Sequence, residues 1–186
     1  MSLVRLNKFD PSIGLDRKAT KIKEIIWYIS KMIFFLTAFP YPSSFKRFVL
    51  RIFGAQIGKN VLIKPRVNIH MPWKLKIGNN VWIGEEVFIL NFEVLTVGSD
   101  VCISQRAFLC CGNHDYSIPS FPYRNEPITL KDGCWIGASC FVAPGTIVEQ
   151  NAILSAGSMA KGILEKEFIY IGNPAFKVKK RIVKDI

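Results

Sequence analysis

The stretch Cys110-Cys111-Gly112-Asn113-His114-Asp115-Tyr116 places an imidazole between an amide and a carboxylate. An imidazole that is neutral near physiological pH can take a proton from a hydroxyl and hand it to a leaving group, which makes His114 the candidate general base. The only other histidine, His70, lies far upstream and reads as a surface or packing residue. A lone histidine is more often structural than catalytic. The weight on His114 comes from its setting, the longest interruption of an otherwise strict sequence pattern.

That pattern is an aliphatic residue returning every six positions: Ile57, Ile63, Ile69; Ile77, Ile83, Ile89; Val97, Ile103, Leu109; Leu130, Ile136, Val142, Val148, Leu154. Four residues after each comes a small or β-branched partner, among them Val61, Val67, Val81, Val87, Val101, Ala107, Cys134, Cys140, Thr146, Ala152 and Ser158. Two inward positions per six residues make one flat side and one corner, and three sides close a triangular coil of about eighteen residues. Stacked coils form a parallel β-helix, an all-β fold whose core is built rung on rung. Glycine often follows the aliphatic, where a corner has no room for a Cβ.

The register slips carry the functional signal. The step lengthens from Ile69 to Ile77, from Ile89 to Val97 and, most of all, from Leu109 to Leu130, each time after the third side of a coil. Trp73, Glu93 and Asn113 break the inward pattern at that same edge. Local rules are most often broken where there is function, so this edge is the expected site. Met71, Asn91 and Cys111 fall on equivalent places of successive rungs, about 4.8 Å apart by strand spacing. The Asn91 amide then either holds an acceptor hydroxyl or a developing oxyanion, or shapes a turn.

Three regions follow: an N-terminal helical arm over 1–53, a β-helix over 54–160 with an extruded loop at 110–129, and a basic segment over 161–186. The net charge of +11 is uneven. The arm holds ten Lys or Arg against three acids, the repeat body eight against eight, and the C-terminal segment seven against three. A neutral prism without a basic, aromatic stripe argues against nucleic acid. In the arm, Ile22, Ile25, Ile26, Ile29, Met32, Ile33 and Leu36 follow helical spacing before Pro40 and Pro42. A second helix is expected from Ser43 or Ser44 to Phe53, with Phe45, Phe48, Val49 and Ile52 on one face and Lys46, Arg47 and Arg51 on the other. The arm either caps the open end of the β-helix or lies on a membrane surface. Five cysteines without paired spacing and no visible signal peptide point to a reducing, cytoplasmic setting, with the inner face of the plasma membrane as the place for a membrane-bound arm. Cys134 and Cys140 read as small buried hydrophobes.

The repeat, the Gly112 to Tyr116 loop, Cys134-Trp135-Ile136-Gly137, Ala143-Pro144-Gly145, Ser155-Ala156-Gly157-Ser158 and Gly172-Asn173-Pro174-Ala175 together resemble the hexapeptide-repeat acetyltransferases. Arg47 to Gly58, Met71 to Gly78 and Ser117 to Phe121 resemble the colanic-acid-biosynthesis O-acetyltransferases of capsule and exopolysaccharide pathways. The resemblance spans roughly residues 45 to 182. It implies a left-handed coil, a homotrimer with sites between subunits, acetyl-CoA as donor without a metal, and a sugar hydroxyl as acceptor on a free saccharide, a nucleotide sugar or a lipid-linked glycan. By the same resemblance His114 is the base, Asn91 lies near the acceptor, and Asp115 or Glu126 orients the imidazole. The Ala138 N–H receives the oxyanion, and Trp135, Gly137, Ala156 and Gly157 belong to the motifs along the pantetheine arm. Two places depart from the family pattern. Lys161, a candidate phosphate contact, stands out of register in Ala160-Lys161-Gly162-Ile163-Leu164-Glu165, and in Asn173-Pro174-Ala175-Phe176-Lys177 a phenylalanine follows the alanine where the family has a basic residue, while Lys177, Lys179, Lys180 and Arg181 still supply positive charge for coenzyme A. The competing readings are a non-catalytic solenoid platform and an acyltransferase with an amine acceptor. A trimeric zinc carbonic anhydrase needs three histidine ligands that this chain does not have.

Overall fold

The computed structural model describes residues 3–184. Two helices, α1 (Lys21–Phe34) and α2 (Ser43–Ile52), precede five full coils of short strands. The coils are β1 (Gln56–Ile57), β2 (Leu62–Ile63) and β3 (Asn68–Ile69); β4 (Leu75–Ile77), β5 (Trp82–Ile83) and β6 (Phe88–Leu90); β7 (Leu95–Val97), β8 (Cys102–Ile103) and β9 (Phe108–Cys110); β10 (Ile128–Leu130), β11 (Trp135–Ile136) and β12 (Phe141–Val142); and β13 (Ile147–Val148), β14 (Ile153–Leu154) and β15 (Met159–Ala160). A sixth coil opens with β16 (Ile163–Leu164) and β17 (Phe168–Gly172), after which β18 (Ala175–Lys180) folds back antiparallel on β17. The strands stack into three sheets, β1-β4-β7-β10-β13-β16 on face one, β18-β17-β14-β11-β8-β5-β2 on face two and β15-β12-β9-β6-β3 on face three. The coils therefore continue past residue 160, and the basic C-terminal segment is part of the solenoid rather than an appendage to it.

The repeat aliphatics from Ile57 to Leu154 are all buried, as are their small partners from Val61 to Ser158. The cysteines behave as the pattern requires: Cys134 and Cys140 are inward, and burial pushes the Cys134 thiol up to about 12. Corners stack backbone on backbone. A Cβ on Gly58 would come within 2.4 Å of the Gly78 carbonyl oxygen, so the rung spacing leaves no room for one.

Each rung donates N–H groups to the carbonyls of the next: Gly58 to Ile77, Leu62 to Val81, Lys64 to Ile83, His70 to Ile89. The first rung therefore presents carbonyls with no rung below them, and the helical arm supplies the missing donors from side chains. Arg51 donates to Ile57 O at 2.7 Å, Arg47 to Val61 O at 2.8 Å, Lys46 to Ile63 O at 3.2 Å and to Lys64 O at 3.0 Å, and Trp27 Nε1 to Ile69 O at 3.2 Å and His70 O at 3.0 Å. These are the carbonyl positions that backbone N–H groups satisfy in the rungs above.

The structure departs from the expected faces of both helices, although Val49 of α2 is buried and Phe45 packs against the core. In α2 the basic residues turn toward the prism, with Lys46 fully buried, while Phe48 and Ile52 are exposed. In α1 the buried residues are Trp27 and Lys31, and the isoleucine stripe faces outward. The reason is that hydrogen-bond donors at a strand end are worth more than apolar cover, because an unmet buried carbonyl carries its full desolvation cost. Among the described residues no helix is long and apolar enough to cross a membrane.

Trp27→Phe keeps most of the buried ring but removes the donor to Ile69 and His70. Stability in urea denaturation is expected to fall by about 1–2 kcal/mol, with the coil content by circular dichroism retained.

Candidate active site

Residues 111–126 leave the prism between face three and face one and fold into a narrow hairpin. Arg124 N donates to Asn113 O at 2.9 Å, Asp115 N to Pro122 O at 2.9 Å and Glu126 N to Cys111 O at 3.0 Å. Within it, the His114 ring is held by contacts on several sides. Phe121 stacks on it at 4.3 Å with 8° between planes, Tyr123 lies at 4.8 Å, and Phe9 from the N-terminal segment approaches to 5.6 Å. His114 Nδ1 lies 2.8 Å from the Phe121 carbonyl oxygen. A carbonyl only accepts, so Nδ1 carries the proton and Nε2 presents its lone pair. The imidazole is thus fixed in rotamer and tautomer as a proton acceptor.

Neither carboxylate named from the sequence orients it. Asp115 accepts from Ser117 N at 3.0 Å and from the Ser117 hydroxyl, which makes it the cap of a tight turn and holds its pKa below the ordinary carboxylate value. Glu126 packs over Gly145. A backbone carbonyl does the work assigned to an acid, because the hairpin folds Phe121 back over the ring.

Asn91 is likewise reassigned. It is fully buried, Oδ1 accepts from Met71 N at 2.9 Å and Nδ2 donates to Met71 O at 2.6 Å. Its amide stitches the second coil to the first where the chain leaves the prism, and both groups are committed to backbone. Trp73, Glu93 and Asn113 do mark the broken edge: Trp73 Nε1 donates to Arg17 O at 2.7 Å, Glu93 faces Lys74 at 4.0 Å, and Asn113 Oδ1 accepts from His114 N at 2.8 Å.

The N-terminal segment is a strap across this loop. Arg5 N donates to Pro119 O at 2.8 Å, Tyr123 N to Ile13 O at 3.3 Å, and Asn125 Nδ2 to Gly14 O at 3.1 Å. Leu15 is buried beneath it. No local signal marks Phe9 as a wall of the site, since it meets His114 only through tertiary folding.

The remaining candidates lie elsewhere on the prism. Trp135 is on the outer surface of face two, its Nε1 bonded to Ser104 Oγ at 2.9 Å. Gly137, Ala138, Ala156 and Gly157 form the next corner, where Gly157 N donates to Ala138 O at 2.8 Å. Ala156 and Gly157 are exposed, and a Cβ on Gly157 would meet nothing within 4 Å. Among the described residues the Ala138 N–H has no protein acceptor. Lys179 and Lys180, exposed on β18, extend face two toward the C-terminal end. Lys161 does not join this group. It follows β15 at the edge that carries the histidine loop, two rungs further on. One chain thus carries His114 on one edge and the Ala138 corner on another.

Comparison with known proteins places this geometry. A family model described as the hexapeptide repeat of succinyl-transferase matches residues 127–159. A candidate colanic acid biosynthesis acetyltransferase of Escherichia coli (strain K12), WcaF, is 34% identical over 166 residues, which span 89% of this chain and 91% of that protein. The chain belongs to the hexapeptide-repeat acetyltransferase family. Solved structures share its fold. The hexapeptide-repeat acetyltransferase VCA0836 of Vibrio cholerae O1 biovar eltor, complexed with acetyl coenzyme A, superposes with a TM-score of 0.79 at 16% identity over 90% of this chain and 93% of its own. A galactoside acetyltransferase in complex with coenzyme A gives 0.75 at 19% identity, over 86% and 80%. This acetyltransferase chain therefore carries its family's coil over nearly its whole length, and its long loop is the place where the family's chemistry is to be sought.

Two outcomes are expected. Asn91→Ala strips Met71 of both partners and should lower stability by about 2 kcal/mol or more, whereas an acceptor-binding role would raise KM at unchanged stability; urea denaturation beside steady-state kinetics separates them. His70 is pushed down to about 4 by burial and by the neighbouring Lys31 and Arg17. The unfolded chain takes up this proton near its ordinary pKa while the folded chain resists until about 4, so the contribution to stability is present at neutral pH and is lost as pH falls from about 6.5 to about 4, roughly 3 kcal/mol in all. Ring NMR should show His70 neutral at pH 5, and His70→Gln should lose less stability over that interval.

Proposed function

We propose that this chain transfers the acetyl group of acetyl-CoA to a sugar hydroxyl in the assembly of a surface polysaccharide, with His114 as general base. The observation that carries the reading is the His114–Phe121 hydrogen bond, in which Nδ1 donates to the carbonyl and Nε2 is left as the ring nitrogen for proton transfer. In this reading Nε2 takes the acceptor's hydroxyl proton as that oxygen bonds to the thioester carbonyl carbon. The oxyanion is received by the free Ala138 N–H. The proton on Nε2 then passes to the sulfur as the carbon–sulfur bond breaks, which returns the imidazole to its starting state. The exposed strip from Trp135 through Ala156 and Gly157 toward Lys179 and Lys180 suits an extended thiol arm ending in phosphates.

The base and the oxyanion donor stand on different edges of one prism, so the active unit is a ring of copies in which the loop of one meets the Trp135–Ala138 corner of the next. A homotrimer satisfies this with three equal sites and places Lys161 on the same side as His114. The acceptor class follows from the likeness to WcaF, whose name assigns it to colanic acid biosynthesis. We place the protein in the cytoplasm, against the inner face of the plasma membrane, in keeping with cysteines that form no disulfide.

His114→Ala is expected to lower kcat for thiol release with a sugar acceptor by about 10²–10⁴-fold while calorimetry still shows acetyl-CoA binding. Ala138→Arg should abolish acetyl-CoA binding. Mixing the two inactive proteins under exchange of subunits should recover part of the activity, because some interfaces then carry both intact halves. Undiminished turnover in His114→Ala would remove it as the base, and failure of the mixture to recover activity would place the whole site in one chain.

A further inference from the structure

A cavity of about 280 Å³ opens between α1 and the first coil, at the edge that carries the histidine loop. Arg17, Glu24, Tyr28, Lys31, His70 and Trp73 line it. Its charges do not balance. Both Glu24 oxygens are taken by the Arg17 guanidinium, at 2.6 and 2.8 Å. Lys31 is only 6% exposed, and its ammonium, 5.3 Å from the Tyr28 ring centroid, meets no carboxylate or carbonyl among the described residues. His70 also points no ring nitrogen at a protein partner among them, and its ring packs edge-on to Phe92 at 5.0 Å. The Lys31 ammonium therefore gives the pocket a positive lining that no carboxylate answers, a setting that attracts an anion.

The outer wall of the cavity continues into the bare side of α1. Ile22, Ile25, Ile26, Ile29, Met32 and Ile33 are each at least 50% exposed, and Ile25 belongs to both the stripe and the cavity lining. A contiguous apolar stripe of this length is unusual on a soluble surface. A cationic pocket that opens onto an aliphatic face is complementary to a phosphate with a hydrocarbon attached, whereas a nucleotide would meet isoleucine side chains where its base needs hydrogen-bonding or stacking partners. The pocket also lies in line with the base: Phe92 touches Tyr123 at 5.4 Å, and Tyr123 touches His114 at 4.8 Å, so two rings separate His70 from His114.

We infer that this pocket binds the phosphate of a lipid-linked acceptor glycan, with the lipid lying along the exposed face of α1 and the glycan reaching over Phe92 and Tyr123 to His114. The inference rests on the acetyl-transfer reading for its choice of acceptor. Lys31 is the primary anion partner, and His70 takes up a proton and becomes a second donor once the phosphate is bound. Burial holds the His70 imidazole down first, and the nearby Lys31 and Arg17 add to it.

Calorimetry on the full chain with farnesyl diphosphate, inorganic diphosphate and uridine diphosphate tests this. Farnesyl diphosphate is expected to bind saturably and at least about tenfold more tightly than inorganic diphosphate. Lys31→Met should weaken it by about tenfold or more, and Ile25→Ser/Ile29→Ser should erase its advantage over inorganic diphosphate. The His70 ring resonances should move toward the protonated form on binding at neutral pH. Lys31→Met should leave acetyl-CoA binding unchanged. Uridine diphosphate binding as tightly as farnesyl diphosphate with the same dependence on Lys31, farnesyl diphosphate binding indifferent to Lys31, or no binding of any probe would each overturn the inference. Dissociation of the assembly by the serine substitutions would overturn the lipid face by showing it to be a subunit contact. Acetyl-CoA binding and thiol release by the unaltered chain are read separately, so a failure of the acetyl-transfer reading is recognisable on its own.

Discussion

The backbone ladder between successive coils is the interaction on which everything else in this molecule depends. Each strand is only two or three residues long in most of the coils, far too short to persist alone, and each gains order only by donating to the rung above and accepting from the rung below. Because the ladder is continuous, equivalent residues stack at the strand spacing and the core becomes columns of like side chains. The same continuity makes the two ends of the prism the weak points, since half of the pairing is missing there. The arm at one end and the antiparallel return of β18 at the other are answers to that one problem.

The end cap illustrates how the demand for hydrogen bonds overrides amphipathic pattern. Helix α2 has an apolar side and a basic side, and simple burial would put the apolar side down. The first rung offers carbonyls as well as apolar surface, so Lys46, Arg47 and Arg51 reach in beside Val49 and Leu50 while Phe48 and Ile52 stay out. Helix α1 follows the same logic with Trp27. This leaves the arm with surplus apolar surface on its outer side, a consequence of capping rather than a failure of packing.

The histidine hairpin arises where the ladder is interrupted. An insertion can leave a coil only at a corner without breaking pairing, so the excursions after β3, β6 and β9 fall on one edge and stack above one another. The longest becomes a hairpin stiff enough to hold an imidazole between aromatic rings. The smooth corner bearing Ala138, by contrast, follows the unbroken coil. A straight prism cannot bend one edge onto another, so within one chain His114 and the Ala138 corner stay on separate edges.

The solenoid was legible from the sequence because a six-residue period is a local rule repeated many times: every inward position from Ile57 to Leu154 could be named, along with the edge where the rule fails and the histidine it exposes. The roles of single polar groups were not legible in the same way. Asn91 looked free because spacing places it beside the loop, but only the fold shows its amide closed on Met71. Asp115 and Glu126 looked like partners for His114 because they are near in sequence, but the hairpin delivers the Phe121 carbonyl instead. Phe9, Lys31 and His70 carried no signal at all, since they acquire neighbours only when the N-terminal segment crosses the prism edge. Periodicity, carried by side-chain type along the chain, determined the fold and the edge at which the histidine loop leaves it. Tertiary structure decided which donor meets which acceptor, because a hydrogen bond or an unmatched charge depends on distances of a few ångströms between segments that the sequence keeps far apart.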